Sequence, residues 1–255
     1  MSPSRFLLVL ACLTVAAVAA AVGDDPLISD RPGFTESATP VSPGRIQFEM
    51  GYTRLVAGDT KITTLGEMLV RFGVAENTEG RVWFGSYAWF KNEFENHDGL
   101  SDLHLGVKHR FVENDGLVPE TALLASVTLP TGAKGISSEE LQPVFVGAFS
   151  WDLTSAFSLG ANLGWSHLYI PRDRDRLSTL WGSLSLGVSL GNRLGAFVET
   201  FAFNREDIDG NATAYLDVGL TFLINENLQL DGRVGQGFNG LDEDWFTGIG
   251  LVTRI

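Results

Sequence analysis

The 255-residue sequence is poor in cysteine, histidine and positive charge, and each shortage closes off a class of function. Its single cysteine is Cys12, inside an N-terminal apolar run. Once that run is removed, no disulfide, thiolate metal site or cysteine nucleophile is available. Four histidines (His97, His104, His109, His167) are too few and too scattered for a histidine-rich metal centre. Lys and Arg total 18 against 31 Asp and Glu, a formal net charge of -13. No basic face exists to neutralise phosphates, so nucleic acid is excluded as a partner. Charged residues make up only 19% and hydrophobic residues 44%, too apolar a mixture for disorder. After residue 22 no apolar run reaches the length of a membrane helix.

What is abundant is glycine (29) and aromatic side chains (Phe 17, Trp 6, Tyr 4), a composition of many short strands and tight turns. Arg5 begins a short positive region, Phe6 to Val22 is apolar, and small residues at Ala17, Ala19, Ala20 and Ala21 precede Asp24-Asp25. Residues 1–22 therefore read as a cleavable export signal. A lipoprotein reading at Cys12 leaves too short an apolar stretch ahead of the cysteine. Residues 23–44 hold Pro26, Pro32, Pro40 and Pro43 without sustained alternation, so they form no strand. With Asp30, Arg31, Phe34 and Glu36 in it, this irregular periplasmic segment is either a plug folded into a barrel mouth or a flexible tail.

From Arg45 onward one pattern recurs. In Arg45–Val56, Ile46, Phe48, Met50 and Tyr52 share one face, and Gln47, Glu49, Gly51 and Thr53 share the other. Side chains on a strand alternate with period two, so each such segment divides an apolar from a polar environment. Twelve segments follow this rule: 45–56, 61–73, 80–91, 101–112, 119–130, 141–151, 156–167, 178–190, 194–204, 213–224, 228–238 and 244–255. Connections after the even-numbered segments are mostly short, as in Gly191-Asn192-Arg193 and Asn225-Glu226-Asn227. Those after the third, fifth, seventh and ninth are longer and charged: Asn92–Leu100, Thr131–Glu140, Leu168–Leu177 and Arg205–Ala212. An even strand count with short turns on one side and longer loops on the other predicts an all-β fold, a transmembrane antiparallel up-and-down β-barrel of about 12 strands in residues 45–255. Aromatics near strand ends, among them Trp151, Trp165, Trp181 and Trp245, suit lipid–water interfaces. A soluble sandwich or lipocalin-like barrel, with the apolar faces turned inward, has the same periodicity and stays open at this point.

If the apolar faces meet lipid, the residues of opposite parity line the lumen: Glu49, Glu67, Arg71, Arg81, Asp102, Lys108, Arg110, Glu199, Asp217, Asp231 and Arg233. Their mixed signs argue against a strongly ion-selective pore and for a cross-strand network that stiffens or closes the lumen. Glu199, Asp217 and Asp231 with Arg233 fall on three successive strands and are expected on one wall. The acidic stretches Asn92–Leu100, Arg205–Gly210 and Asp242–Asp244 suit divalent cations that bridge lipopolysaccharide, but solvated loops also account for them. No catalytic or cofactor site is expected. Ser166 and His167 are sequence neighbours and so face opposite ways, and no Gly-x-Ser-x-Gly motif occurs.

Several motifs together resemble one family. They are Ile28-Ser29-Asp30-Arg31-Pro32-Gly33-Phe34-Thr35-Glu36, Pro43-Gly44, Glu67-Met68-Leu69-Val70-Arg71-Phe72-Gly73, Leu100–Lys108, Leu129-Pro130-Thr131-Gly132 and Gln229-Leu230-Asp231. The sequence is similar over nearly all its mature length to the outer-membrane transporter family named for the MetA pathway of phenol degradation. The resemblance implies a channel in the outer membrane of a Gram-negative bacterium for passive uptake of small, hydrophobic or aromatic molecules. It also implies contact with outer-membrane lipid and lipopolysaccharide, and insertion by the barrel-assembly machinery. The last strand resembles a barrel-assembly signal, with Ile255 in place of a terminal phenylalanine. A closed barrel with a structural or surface-binding role, and an outer-membrane hydrolase, are the rival readings.

Overall fold

The computed structural model describes residues 26–206, 208, 210–238 and 244–255. The expected export signal at 1–22 therefore lies outside the described residues, as do Asp207, Asp209, Asp242 and Glu243 of the acidic stretches. Among the described residues there are fourteen strand segments and no helix. They are β1 (Ile46–Ala57), β2 (Thr60–Ala75), β3 (Thr78–Phe84), β4 (Tyr87–Lys91), β5 (Asn96–Leu100), β6 (Leu103–Val112), β7 (Glu120–Leu129), β8 (Gln142–Asp152), β9 (Phe157–Ile170), β10 (Asp175–Ser189), β11 (Leu194–Phe203), β12 (Thr213–Asn225), β13 (Leu228–Phe238) and β14 (Trp245–Arg254).

Every neighbouring pair is antiparallel, and β1 pairs with both β2 and β14, which closes the sheet into a barrel. The closing register runs from Gln47↔Arg254 to Val56↔Trp245. The fourteen segments form twelve staves, because β2 pairs with β3 along one part and β4 along another, while β6 and β5 continue that ladder. The expected strand 80–91 is thus broken at Gly85-Ser86, and the expected strand 101–112 corresponds to β6, which a break at Ser101-Asp102 separates from β5 in the same stave. The breaks lie side by side: Ser101 N donates to Ser86 O (2.8 Å) and Ser86 N to Ser101 Oγ (2.9 Å). A side chain at Gly85 would strike the Ser101 carbonyl, so glycine permits this close approach. The expected long loop Asn92–Leu100 is corrected as well: β5 takes up residues 96–100, leaving residues 92–95 as the connection.

Orientation follows from which face is covered. Leu163 and Ile249 are 65% and 64% exposed, and Leu65, Leu216, Leu220, Phe222 and Val234 share that outer face. Gln47, Glu49, Arg71, Lys108, Glu199 and Asp217 lie on the inner face with at most 1% exposure. A soluble barrel would bury the first set and hydrate the second. The observed arrangement is the reverse, which excludes the inverted reading. Most staves hold ten or more residues, enough to cross a bilayer's hydrocarbon core at a tilt. One irregularity redirects a side chain. The β1–β2 register shifts between Glu49 and Gly51, where Gly66 and Glu67 have positive φ. This bulge turns Glu67 to the inner face, where it accepts a hydrogen bond from Thr64 Oγ1.

Candidate lumen and its N-terminal segment

Residues 26–44 enter the barrel and return. At the end that carries both chain termini, Arg254 Nη1 donates to Pro26 O (3.1 Å). The segment then rises past Glu49 to Phe34, level with the middle of β11. It descends past Glu120, the first residue of β7, to a parallel bridge between Pro43 and Gly73.

Charge fixes the rising limb. Asp30 Oδ2 lies 2.7 Å from Arg81 Nη1, 3.3 Å from Arg71 Nη1 and 3.2 Å from Lys108 Nζ. Asp30 Oδ1 also accepts from Ser37 N (2.8 Å), which ties the rising and returning limbs together. Glu49 and Glu79 complete this buried cluster: Arg71 contacts them at 3.0 Å and 2.9 Å, and Glu36 lies 2.8 Å from Arg81. A buried cation needs a partner whose geometry offsets its lost hydration, and here the N-terminal segment supplies two of the four carboxylates. Arg31 bridges the closing seam, 3.0 Å from Glu67 of β2 and 3.3 Å from Asp231 of β13. It fits because Gly51 and Gly250 are register partners across β1 and β14, and a side chain at either would fall on the Arg31 guanidinium.

Backbone and ring contacts hold the turn. Glu199 accepts from Thr35 N (2.7 Å) and from Phe34 N, so one carboxylate caps two successive amides. The Phe34 ring stacks on Phe201 (4.3 Å between centroids) and meets Phe203 (5.6 Å) and Trp181 (5.0 Å) edge-on, so Trp181 faces inward and not the expected lipid–water interface. Glu36 N donates to Asn162 Oδ1 (2.7 Å), and Asn162 Nδ2 returns a bond to Glu36 O (2.9 Å). Ala38 is fully buried against Ala122, Leu124, Val146 and Ala148.

The candidate lumen residues thus divide into groups. Glu49, Arg71, Arg81 and Lys108 meet around Asp30, and Glu67 and Asp231 meet through Arg31. Glu199 and Asp217 are register partners, and Arg233 lies 3.8 Å from Asp217 and over the Phe246 ring. Asp231, expected beside that trio, is engaged by Arg31 instead. Arg110 sits at the terminal-end rim, paired with Glu120 (2.9 Å) and Glu113 (3.0 Å). Asp102 stands in the break between β5 and β6 rather than within a strand. It accepts from Gly132 N (2.7 Å), Ser137 Oγ (2.8 Å), Ser138 N (2.7 Å) and Ser138 Oγ (2.6 Å) of the 130–141 loop. Sequence reasoning missed Glu79, Asn162 and Glu120. Glu79 falls between the expected segments 61–73 and 80–91, although its spacing of two from Arg81 marks the same face. Asn162 carries no charge to draw notice.

Toward the loop end the barrel is not filled. A cavity of about 420 Å³ lies above the segment, with Arg31 and Phe34 in its floor and Trp83, Asp102 and His104 in its wall. It adjoins a mouth cavity of about 620 Å³ that shares Ser101, Asp102 and His104.

Residues 29–255 match the protein family described as "Putative MetA-pathway of phenol degradation". The chain belongs to that family. This MetA-pathway family member is also similar in fold to solved outer-membrane barrels. An outer membrane channel from Pseudomonas putida F1 superposes with a TM-score of 0.67 at 13% identity, covering 88% of this chain and 99% of that one. The NanC porin gives 0.56 at 10% identity, covering 82% and 100%. The KdgM porin, solved in complex with disordered oligogalacturonate, gives 0.52 at 9% identity, covering 80% and 98%. No curated protein matches the sequence.

Proposed function

We propose that this family member is an outer-membrane channel for passive entry of small hydrophobic or aromatic molecules, held closed at its periplasmic end by residues 26–44. The chain termini and short turns then face the periplasm, and the 130–141 loop faces outward. Outer-membrane lipid and lipopolysaccharide surround the barrel, the barrel-assembly machinery inserts it, and it catalyses no reaction. The aromatic solute class comes from the family. The channel reading is supported by an open outer lumen above an inserted segment, and one observation carries it. That segment is fastened by side-chain ion pairs and caps rather than by strand pairing, except for the bridge between Pro43 and Gly73. Such a fastening can be released with the barrel's hydrogen-bond ladder intact.

The test is planar-bilayer conductance of the refolded mature chain beside a variant lacking residues 24–44, with folding checked by heat-modifiable gel mobility. The intact chain is expected to show small or rare steps, and the deletion frequent larger ones. Equal conductance from two folded proteins would remove the gate. Silence from both would favour a closed barrel with a structural role.

A further inference from the structure

A third, smaller cavity adjoins the lumen and shares Trp83, His104 and Trp181 with it. Its volume is about 170 Å³, and its walls include Leu124, Val144 and Val146 with the indoles of Trp83 and Trp181. A space of roughly 150 Å³ is enough for one benzene-sized ring. Two charged groups border it, Glu36 and Arg81, and they form an ion pair at 2.8 Å. A charged ligand would have to break that pair, whereas a neutral one would not.

One residue joins the three spaces. His104 lines the mouth, the lumen and the side cavity. Its Nδ1 is engaged by Thr128 Oγ1 at 3.1 Å. Among the described residues neither His104 Nε2 nor the nearby Ser126 Oγ makes a hydrogen bond. A ligand hydroxyl both donates and accepts, so it can bond Nε2 in either tautomer of the ring.

We infer that this side cavity is a binding site for one neutral, ring-sized molecule bearing a single hydroxyl, its ring between Trp83, Trp181 and Leu124 and its hydroxyl on His104. The site rests on the channel reading, in which solute comes down from the mouth, and would hold it above the closed segment.

Phenol and toluene serve as probes of the refolded mature chain in nanodiscs, followed through tryptophan indole NMR signals. The lipid-facing Trp165 is an internal control. Phenol is expected to shift Trp83 and Trp181 saturably with one shared dissociation constant, while Trp165 moves only linearly as phenol enters the lipid. Leu124→Phe fills the cavity and should abolish saturation, and Val146→Phe provides a second filling variant. His104→Phe should weaken phenol about tenfold and leave toluene within about twofold, the loss of one hydrogen bond. Linear shifts at Trp83 and Trp181, or an unchanged constant in both folded filling variants, would overturn the inference. Conductance measured in parallel separates the two ideas. A chain that conducts without saturable shifts lacks the site, and one that saturates without conducting keeps the site and loses the channel.

Discussion

Asp30→Asn is the sharpest perturbation of the docked N-terminal segment. The substitution preserves shape but removes the charge that meets Arg81, Arg71 and Lys108 at 2.7, 3.3 and 3.2 Å. Lys108 is then left with Glu79 alone, at 3.6 Å. All three cations are at most 2% exposed, so water cannot replace the lost partner while the segment stays in place. Removing one member of a buried ion pair costs about 3–5 kcal/mol, because the other charge stays desolvated. That cost falls on the docked segment, since undocking rehydrates the cations and leaves the strand ladder as it was. At about 1.4 kcal/mol per tenfold, docking should weaken by a factor on the order of a hundred to several thousand. Two assays read this: cleavage within residues 26–44 by a protease added to the periplasmic face of vesicles, and the open fraction in single-channel records. Both should rise, with heat-modifiable mobility unchanged. Wild-type cleavage and wild-type open fraction in a folded Asp30→Asn protein would refute the ionic fastening.

Three other predictions concern the seat of Arg31, the lipid face and the outer loop. Gly250→Ala places a methyl group on the Arg31 guanidinium and should cost the docked state about 1–3 kcal/mol, read as increased conductance. Leu163→Arg puts a charge in the middle of β9 on the lipid face, and should destabilise the barrel by about 2–4 kcal/mol in urea unfolding from lipid vesicles. Burial alone would raise the Asp102 carboxyl above its ordinary 3.8, but hydrogen bonds from Ser138, Ser137 and Gly132 outweigh it and hold the group lower. A depressed value means that its grip on the 130–141 loop is complete above pH 3.8 and fades only as pH falls through the lower value. Amide exchange at Gly132 and Ser138, corrected for intrinsic rates, should therefore be equally slow at pH 7 and pH 5, and faster in Asp102→Asn. Loosening at pH 5 in the wild type would contradict this.

The staves were readable because a barrel wall separates two solvents, and period-two alternation records that separation at each residue. Ile46/Gln47/Phe48/Glu49 and Leu216/Asp217/Val218 state it without reference to any partner strand. The direction of the barrel was not readable, since alternation is the same whether lipid lies outside or a core lies inside. The breaks at Gly85-Ser86 and Ser101-Asp102 were missed because each depends on the other, through hydrogen bonds between stretches fifteen residues apart. The lumen-facing charges could be counted from parity, but their partners could not. Asp231 pairs with Arg31 across 200 positions, and only the path of residues 26–44 brings the two together.

That path explains why so irregular a segment has a defined place. Its four prolines keep it from becoming a thirteenth stave, and its backbone amides are satisfied by side chains of the wall: Glu199 for Phe34 and Thr35, Asn162 for Glu36, Glu79 for Val41. A buried ion pair adds little net stability over an apolar contact, yet it strongly penalises any arrangement that leaves one charge alone. Six such ion pairs, together with the amide hydrogen bonds from the wall, give one docked position and no graded series of partly inserted ones. A closed state built this way is expected to open as a unit. Conductance records should then show two discrete levels, and a continuum of intermediate levels in the wild-type channel would contradict the arrangement described.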